Sequence, residues 1–197
     1  MSPVTHLLLS WSFSSILPFD RKDRVLVTLA GVVPDLDGAG ILWDLLSYRA
    51  GQPLELWIRF HHVLCHNITF GLCIAFITFC LATRRVLAGV AAFLVFHLHL
   101  VCDILGSRGP DDAWSVPYLR PFSSAGDIVW AHQWALNSWQ NFAITFLALS
   151  FIFFQSWRKG ISPLEIVSRS MNDLFVRTVR NRFGIPPALK GDFTSER

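Results

Sequence analysis

The chain has 197 residues, of which 52% are hydrophobic and only 16% charged, with a formal charge of +3. So small a charge excess excludes a surface built to bind nucleic acid, and no nucleic-acid partner is expected. The length suits one domain, and all four cysteines fall inside apolar segments, which excludes a disulfide framework and marks them as small buried hydrophobes.

In chain order, the first apolar run covers residues 4–18. It lacks a basic leader region and a small-residue cleavage site, so it is expected to be retained as a short helix and not removed as a signal peptide. A charged turn, DRKDR, separates it from a second short run at 25–34. Residues 63–82, 86–105 and 139–157 are each about long enough to cross a bilayer as helices. The last carries tryptophan at both ends, where an interfacial aromatic belt would lie. Between them, residues 106–138 are rich in Gly, Pro, Asp and Trp and read as an outer loop. Leu164, Val167, Met171, Leu174 and Phe175 then recur at helical spacing among arginines, as in a helix on an anionic leaflet. The expectation is an all-α, polytopic membrane bundle of four to five apolar helices (residues 1–160) with a basic amphipathic cytoplasmic tail (residues 161–197).

Basic residues cluster at Arg21, Lys22 and Arg24, at Arg84 and Arg85, and from Arg158 onward. Excess Lys and Arg marks the cytoplasmic side. Threading the runs accordingly puts His6, Asp35, Asp37, His61, His62, His66, His99 and Asp103 at one, non-cytoplasmic end. Charged and imidazole groups are costly to bury near lipid and are functional candidates there.

His99 and Asp103 lie four apart and share a helix face. Asp35 and Asp37, in VVPDLDGAG, point the same way if the segment is extended, and two adjacent carboxylates favour a cation between them. In HHVLCH, His62 and His66 share a helix face, whereas His61 and His66 are about 140° apart on a regular helix. His97 should face away from His99 and serve the structure. The whole set offers imidazole and carboxylate ligands for a divalent ion, zinc first and manganese or iron next, with donors for one to three ions. Such a centre suits phosphoester hydrolysis, in which a metal-bound water attacks.

The motifs in this order resemble the LexA-regulated, membrane-bound metal-dependent hydrolase family. They are Thr5-His6, Pro34-Asp35-Leu36-Asp37, His61 to Asn67, and His99 to Asp103, followed by Pro121-Phe122. The resemblance implies His6, Asp35, Asp37, His61, His66, His99 and Asp103 as metal ligands, with His62 as the alternate to His61. Asp35, Asp37 and Asp103 would divide between bridging ligand and general base. The third motif departs from the family pattern His-Arg-Gly-x-Thr-His-Ser, with His62, Val63, Cys65 and Asn67 in place of Arg, Gly, Thr and Ser. The family in turn is similar in motif layout to helical zinc phospholipases C and single-strand nucleases. That likeness implies a helical fold and a phosphoester substrate, in a lipid headgroup or an envelope metabolite. Arg108 or Arg120 would meet the phosphate, Trp114 and Tyr118 would sit at headgroup level, and Asp127 and His132 are further ligand candidates. The expected setting is a bacterial inner membrane, with the metal site on the non-cytoplasmic face and the C-terminus in the cytoplasm. Two alternatives stay open, a cation- or proton-translocating protein and a catalytically inactive metal-binding protein.

Overall fold

The computed structural model describes residues 1–49, 64–109, 113–123 and 125–187. Within them, helices α1 (Pro3–Ile16), α2 (Arg21–Ala30), α3 (Gly40–Arg49), α4 (Ile68–Leu81), α5 (Arg85–Gly106), α6 (Trp139–Lys159) and α7 (Arg169–Phe183) carry the fold. Two 3-10 segments, Val33–Ala39 and Pro163–Ile166, follow α2 and α6, and a two-residue antiparallel pair joins Val116–Pro117 to Asp127–Ile128.

The helix ends follow from local capping. Ser2 accepts from the Thr5 amide and opens α1. Asp20 accepts from the Asp23 amide, so the charged DRKDR stretch is the first turn of α2 and not a turn between two runs. Asn67 accepts from the Phe70 amide, which starts α4 at Ile68, five residues later than the apolar run suggested. Gly160, at φ 73°, ends α6 in the left-handed region that glycine adopts freely.

Helix α5 is the hub. Its small residues Ala88 and Ala91, with Val95, pack on Val27 of α2 and on Phe19. Phe96 and Leu100 cover Val116 from the loop and Phe70 and Ile74 from α4. On the far side of α1, Leu8 and Trp11 pack against Ala148 and Ile152 of α6. At Gly31 the chain passes so close to α1 and α5 that an added Cβ would lie 2.1 Å from Ser10 Oγ and 2.4 Å from Val95 Cγ1. Hydroxyls bridge the helices where they touch: Ser14 and Thr28 at 3.1 Å, Thr5 and Thr145 at 2.8 Å.

Among the described residues only α5 is both long and apolar enough to cross a membrane, with a second span possible if the bent pair Arg21–Ala30 and Val33–Arg49 counts as one. The expected helical fold is thus present, and one or two of its helices meet the length and composition of a membrane span. Helix α4 has 14 residues, about 21 Å against a hydrocarbon core of ~30 Å. Polar residues at both ends of α6 leave its apolar stretch short. The cysteine expectation is corrected: Cys102 is buried, but Cys73 and Cys80 are exposed on the outer face of α4 and Cys65 is half-buried. An apolar run buries only one side of a helix in a small bundle, and these thiols fall on the other.

The basic groups gather at one end. Asp23, fully buried, accepts from the amides of Thr83 and Arg84 at 2.7 and 2.8 Å. Glu165 takes Arg24 through both oxygens (2.8 and 2.7 Å) and the Trp11 indole N–H at 3.1 Å, while its carbonyl accepts from Arg21. Residues after α6 therefore lock onto α1 and α2, and α7 buries Asn172, Val176 and Val179. Removing the carboxylate strands a largely buried guanidinium. Glu165→Ala is expected to destabilise the fold by ~3–5 kcal/mol. Chemical denaturation checks this, with the exposed Asp173→Ala change as the near-neutral control.

Candidate metal centre

The opposite end of α5 holds the imidazole and carboxylate groups. His99 and Asp103 sit one helical turn apart on its buried face. His6 comes from the first turns of α1, Asp35 from the 3-10 segment after α2, and His66 from the bend that leads into α4. His6, Asp35, His99 and Asp103 each offer a ligand atom within 4.8 Å of the others, a cluster that could hold a metal ion. His66 adjoins it: His66 Nε2 is 3.2 Å from His99 Nε2 and 3.5 Å from Asp103 Oδ2, and His99 Nε2 is 3.0 Å from that same oxygen.

Hydrogen bonding fixes what these atoms present. A backbone carbonyl only accepts, so His99 Nδ1, 2.9 Å from Gly31 O, must carry a proton. His66 Nδ1, 2.9 Å from Asp37 Oδ2, donates likewise. In the neutral rings both Nε2 atoms are then bare. Two lone pairs and a carboxylate oxygen thus converge on one point, which is repulsive unless a metal cation, or a proton on His66 Nε2 in its absence, lies among them. Separations of 3.0–3.5 Å match the ~3.3 Å edges of a tetrahedron with ~2.0–2.1 Å bonds. Of seven buried side-chain atoms without hydrogen-bond partners among the described residues, three belong to this cluster, His6 Nδ1, Asp35 Oδ2 and Asp103 Oδ2. Unpaired buried acceptors are rare in folded proteins, and imidazole nitrogen and carboxylate oxygen are the donor types a divalent ion takes. Outer partners such as the Gly31 carbonyl and the Asp37 carboxylate are what metal-binding histidines ordinarily have.

Asp103 uses both oxygens. Oδ2 faces His66 and His99. Oδ1 lies 3.1 Å from His6 Nε2 and accepts from Ser107 Oγ at 2.7 Å and from the Met1 amino group. His6 and His99 stack with ring centroids 3.8 Å apart.

Asp35 and Asp37 do not act alike. The segment is a 3-10 helix rather than extended, so residues two apart point about 120° apart around it. Asp35 turns to the cluster, with Oδ1 3.8 Å from His99 Nε2, while Asp37 stands behind His66 and also accepts from the Cys65 amide. His61 and His62 lie outside the described residues. His97 bonds Phe93 O and the Tyr118 hydroxyl, each at 2.8 Å, and so ties the loop to α5. Arg120 pairs with Asp127 at 3.5 Å on the surface, and His132 packs on Trp130, away from the cluster.

The outer loop is held by residues that carried no motif. Buried Gln133 donates to the carbonyls of Asp103 and Trp114 and accepts from the Trp114 amide. Asn141 accepts from the Trp134 indole and donates to Gly106 O. Their only signal in the sequence is polarity beside tryptophan.

His66 precedes α4. Burial alone would lower its pKa, but hydrogen bonds and charges from Asp103 and Asp37 outweigh this and raise it to about 9. A proton on a group whose folded pKa lies above its unfolded value of 6.5 stabilises the fold fully below that value and ceases to do so as pH rises through about 9. In chelator-treated protein the melting-temperature gap between wild type and His66→Gln is therefore expected to shrink from pH 6.5 to pH 9. A gap independent of pH would contradict it.

Comparisons with family models, curated proteins and solved structures returned no match.

Proposed function

We propose that the protein is a membrane-bound, metal-dependent hydrolase of phosphoesters. The observation that carries this reading is the buried convergence of His66 Nε2, His99 Nε2 and Asp103 Oδ2, with a second carboxylate, Asp35, at its edge. A divalent ion bound there, zinc by the donor set, would polarise a phosphoryl oxygen and acidify a bound water.

The chain's own residues divide the remaining work. Asp37 and Gly31 O orient the two imidazoles. Asp103 offers one oxygen to each half of the cluster, which suits a bridging ligand. Asp35 lines a cavity beside the cluster and keeps a free Oδ2, so it is placed to accept the proton of an attacking water.

Support for the membrane comes from the outer faces of the helices. Phe76 and Ile77 on α4, Val86 and Val90 on α5, and Phe146 and Leu147 on α6 are each more than half exposed. Apolar surface of that extent is unusual against water and ordinary against lipid. Arg85 and Asp103 stand 18 residues apart on α5, about 27 Å. The basic end and the His/Asp end thus lie on opposite sides, in keeping with a non-cytoplasmic site. The resemblance of the motifs to membrane-bound hydrolases points the same way.

Hydrolysis of bis(p-nitrophenyl) phosphate by purified protein, with and without chelator, tests the reading. Chelator-sensitive turnover that is restored by zinc or manganese is expected. Bound metal without turnover on any phosphoester would favour an inactive metal-binding protein.

A further inference from the structure

A cavity of about 860 Å³ opens against the cluster. Its size falls within the ~300–1,000 Å³ of small-molecule sites and far exceeds what inorganic phosphate needs. Asp35 and Ser107 form its inner wall, and Ser107 bonds Asp103 directly. Arg108 follows. Its backbone is pinned to the loop through Trp134 and Leu136, whereas its guanidinium makes no hydrogen bond or ion pair among the described residues. The lining also has an apolar part, with Leu136 and Phe142 53% and 68% exposed. Phe142 begins an exposed row on α6 that continues through Phe146, Leu149 and Phe153 at helical spacing. The cavity thus combines polar and cationic lining from Asp35, Ser107 and Arg108 with apolar lining that continues, at Phe142, into the outer apolar surface of the bundle.

We propose that this cavity binds a long-chain phosphoester. The phosphate lies between Arg108 and the His/Asp cluster, and the chain runs out past Phe142 along α6. The placement of the ester against the cluster rests on the hydrolase reading. Of the two arginines that could meet phosphate, Arg108 lines the cavity, while Arg120 is engaged with Asp127 elsewhere. A guanidinium suits this contact because its planar fork matches phosphate oxygens.

Binding of labelled dodecylphosphonate and methylphosphonate, neither of which can be hydrolysed, to the metal-loaded full chain in neutral-lipid nanodiscs tests the proposal. Empty nanodiscs serve as the blank. Dodecylphosphonate is expected to bind at least ~10-fold more tightly than methylphosphonate. Arg108→Ala should weaken it by ~10-fold or more, the size of a lost charge-assisted hydrogen bond, with partial recovery in Arg108→Lys and no change in Arg120→Ala. Equal affinity for the two phosphonates, or no effect of Arg108→Ala, would overturn it. Metal-dependent cleavage of bis(p-nitrophenyl) phosphate without Arg108-dependent binding would sink the cavity proposal and leave the hydrolase standing. Arg108-dependent binding without metal-dependent cleavage would uphold the cavity and sink the hydrolase.

Discussion

His99→Ala protein is expected to lose bound metal, with affinity reduced more than ~100-fold. Loss of an outer partner costs ~10–100-fold, and His99 is no outer partner: its Nε2 lies within 3.0–3.2 Å of both Asp103 Oδ2 and His66 Nε2. Asp37→Asn tests the other side of this distinction. Asp37 stands behind His66 and bonds the ring nitrogen turned away from the cluster, so its loss should fall inside the ~10–100-fold range. Equilibrium dialysis against a zinc buffer series gives both values, and elution volume and tryptophan fluorescence show that the variants are folded. Equal losses in the two variants would contradict the division of roles.

Asp35→Asn carries the second large effect. Its Oδ2 is buried, unpartnered and beside the cavity, whereas His66, His99 and Asp103 form a three-donor face without it. Turnover on bis(p-nitrophenyl) phosphate is expected to fall by ~10²–10⁴-fold, the usual contribution of a positioned base, while bound metal is retained. Loss of metal in step with activity would make Asp35 a ligand instead of the base.

The site was more legible in the sequence than the fold around it. Charge asymmetry and helical spacing alone put His6, Asp35, Asp37, His61, His62, His66, His99 and Asp103 at one end; His61 and His62 lie outside the described residues, and the other six lie together in the structure. The spacing of His99 and Asp103 was enough because both lie on a regular helix. Asp35 and Asp37 were not separable, since an extended segment and a 3-10 turn place residues two apart on the same or on different faces, and PDLDGAG suits either. Helix α3 escaped notice because its apolar residues show no single face, and Trp43, Leu45 and Tyr48 are all exposed. The anchors Gln133 and Asn141 act through contacts with backbone carbonyls distant in sequence, which no local pattern records.

The central claim is that imidazole and carboxylate groups at this end of α5 hold a divalent ion. X-ray absorption on the purified, zinc-reconstituted protein tests it most directly. A nitrogen and oxygen shell at about 2.0–2.2 Å with imidazole outer scattering, lost in His66→Ala and His99→Ala, is the expected result. Failure to take up metal in a folded protein, or a sulfur shell at about 2.3 Å from the cysteines, would contradict it.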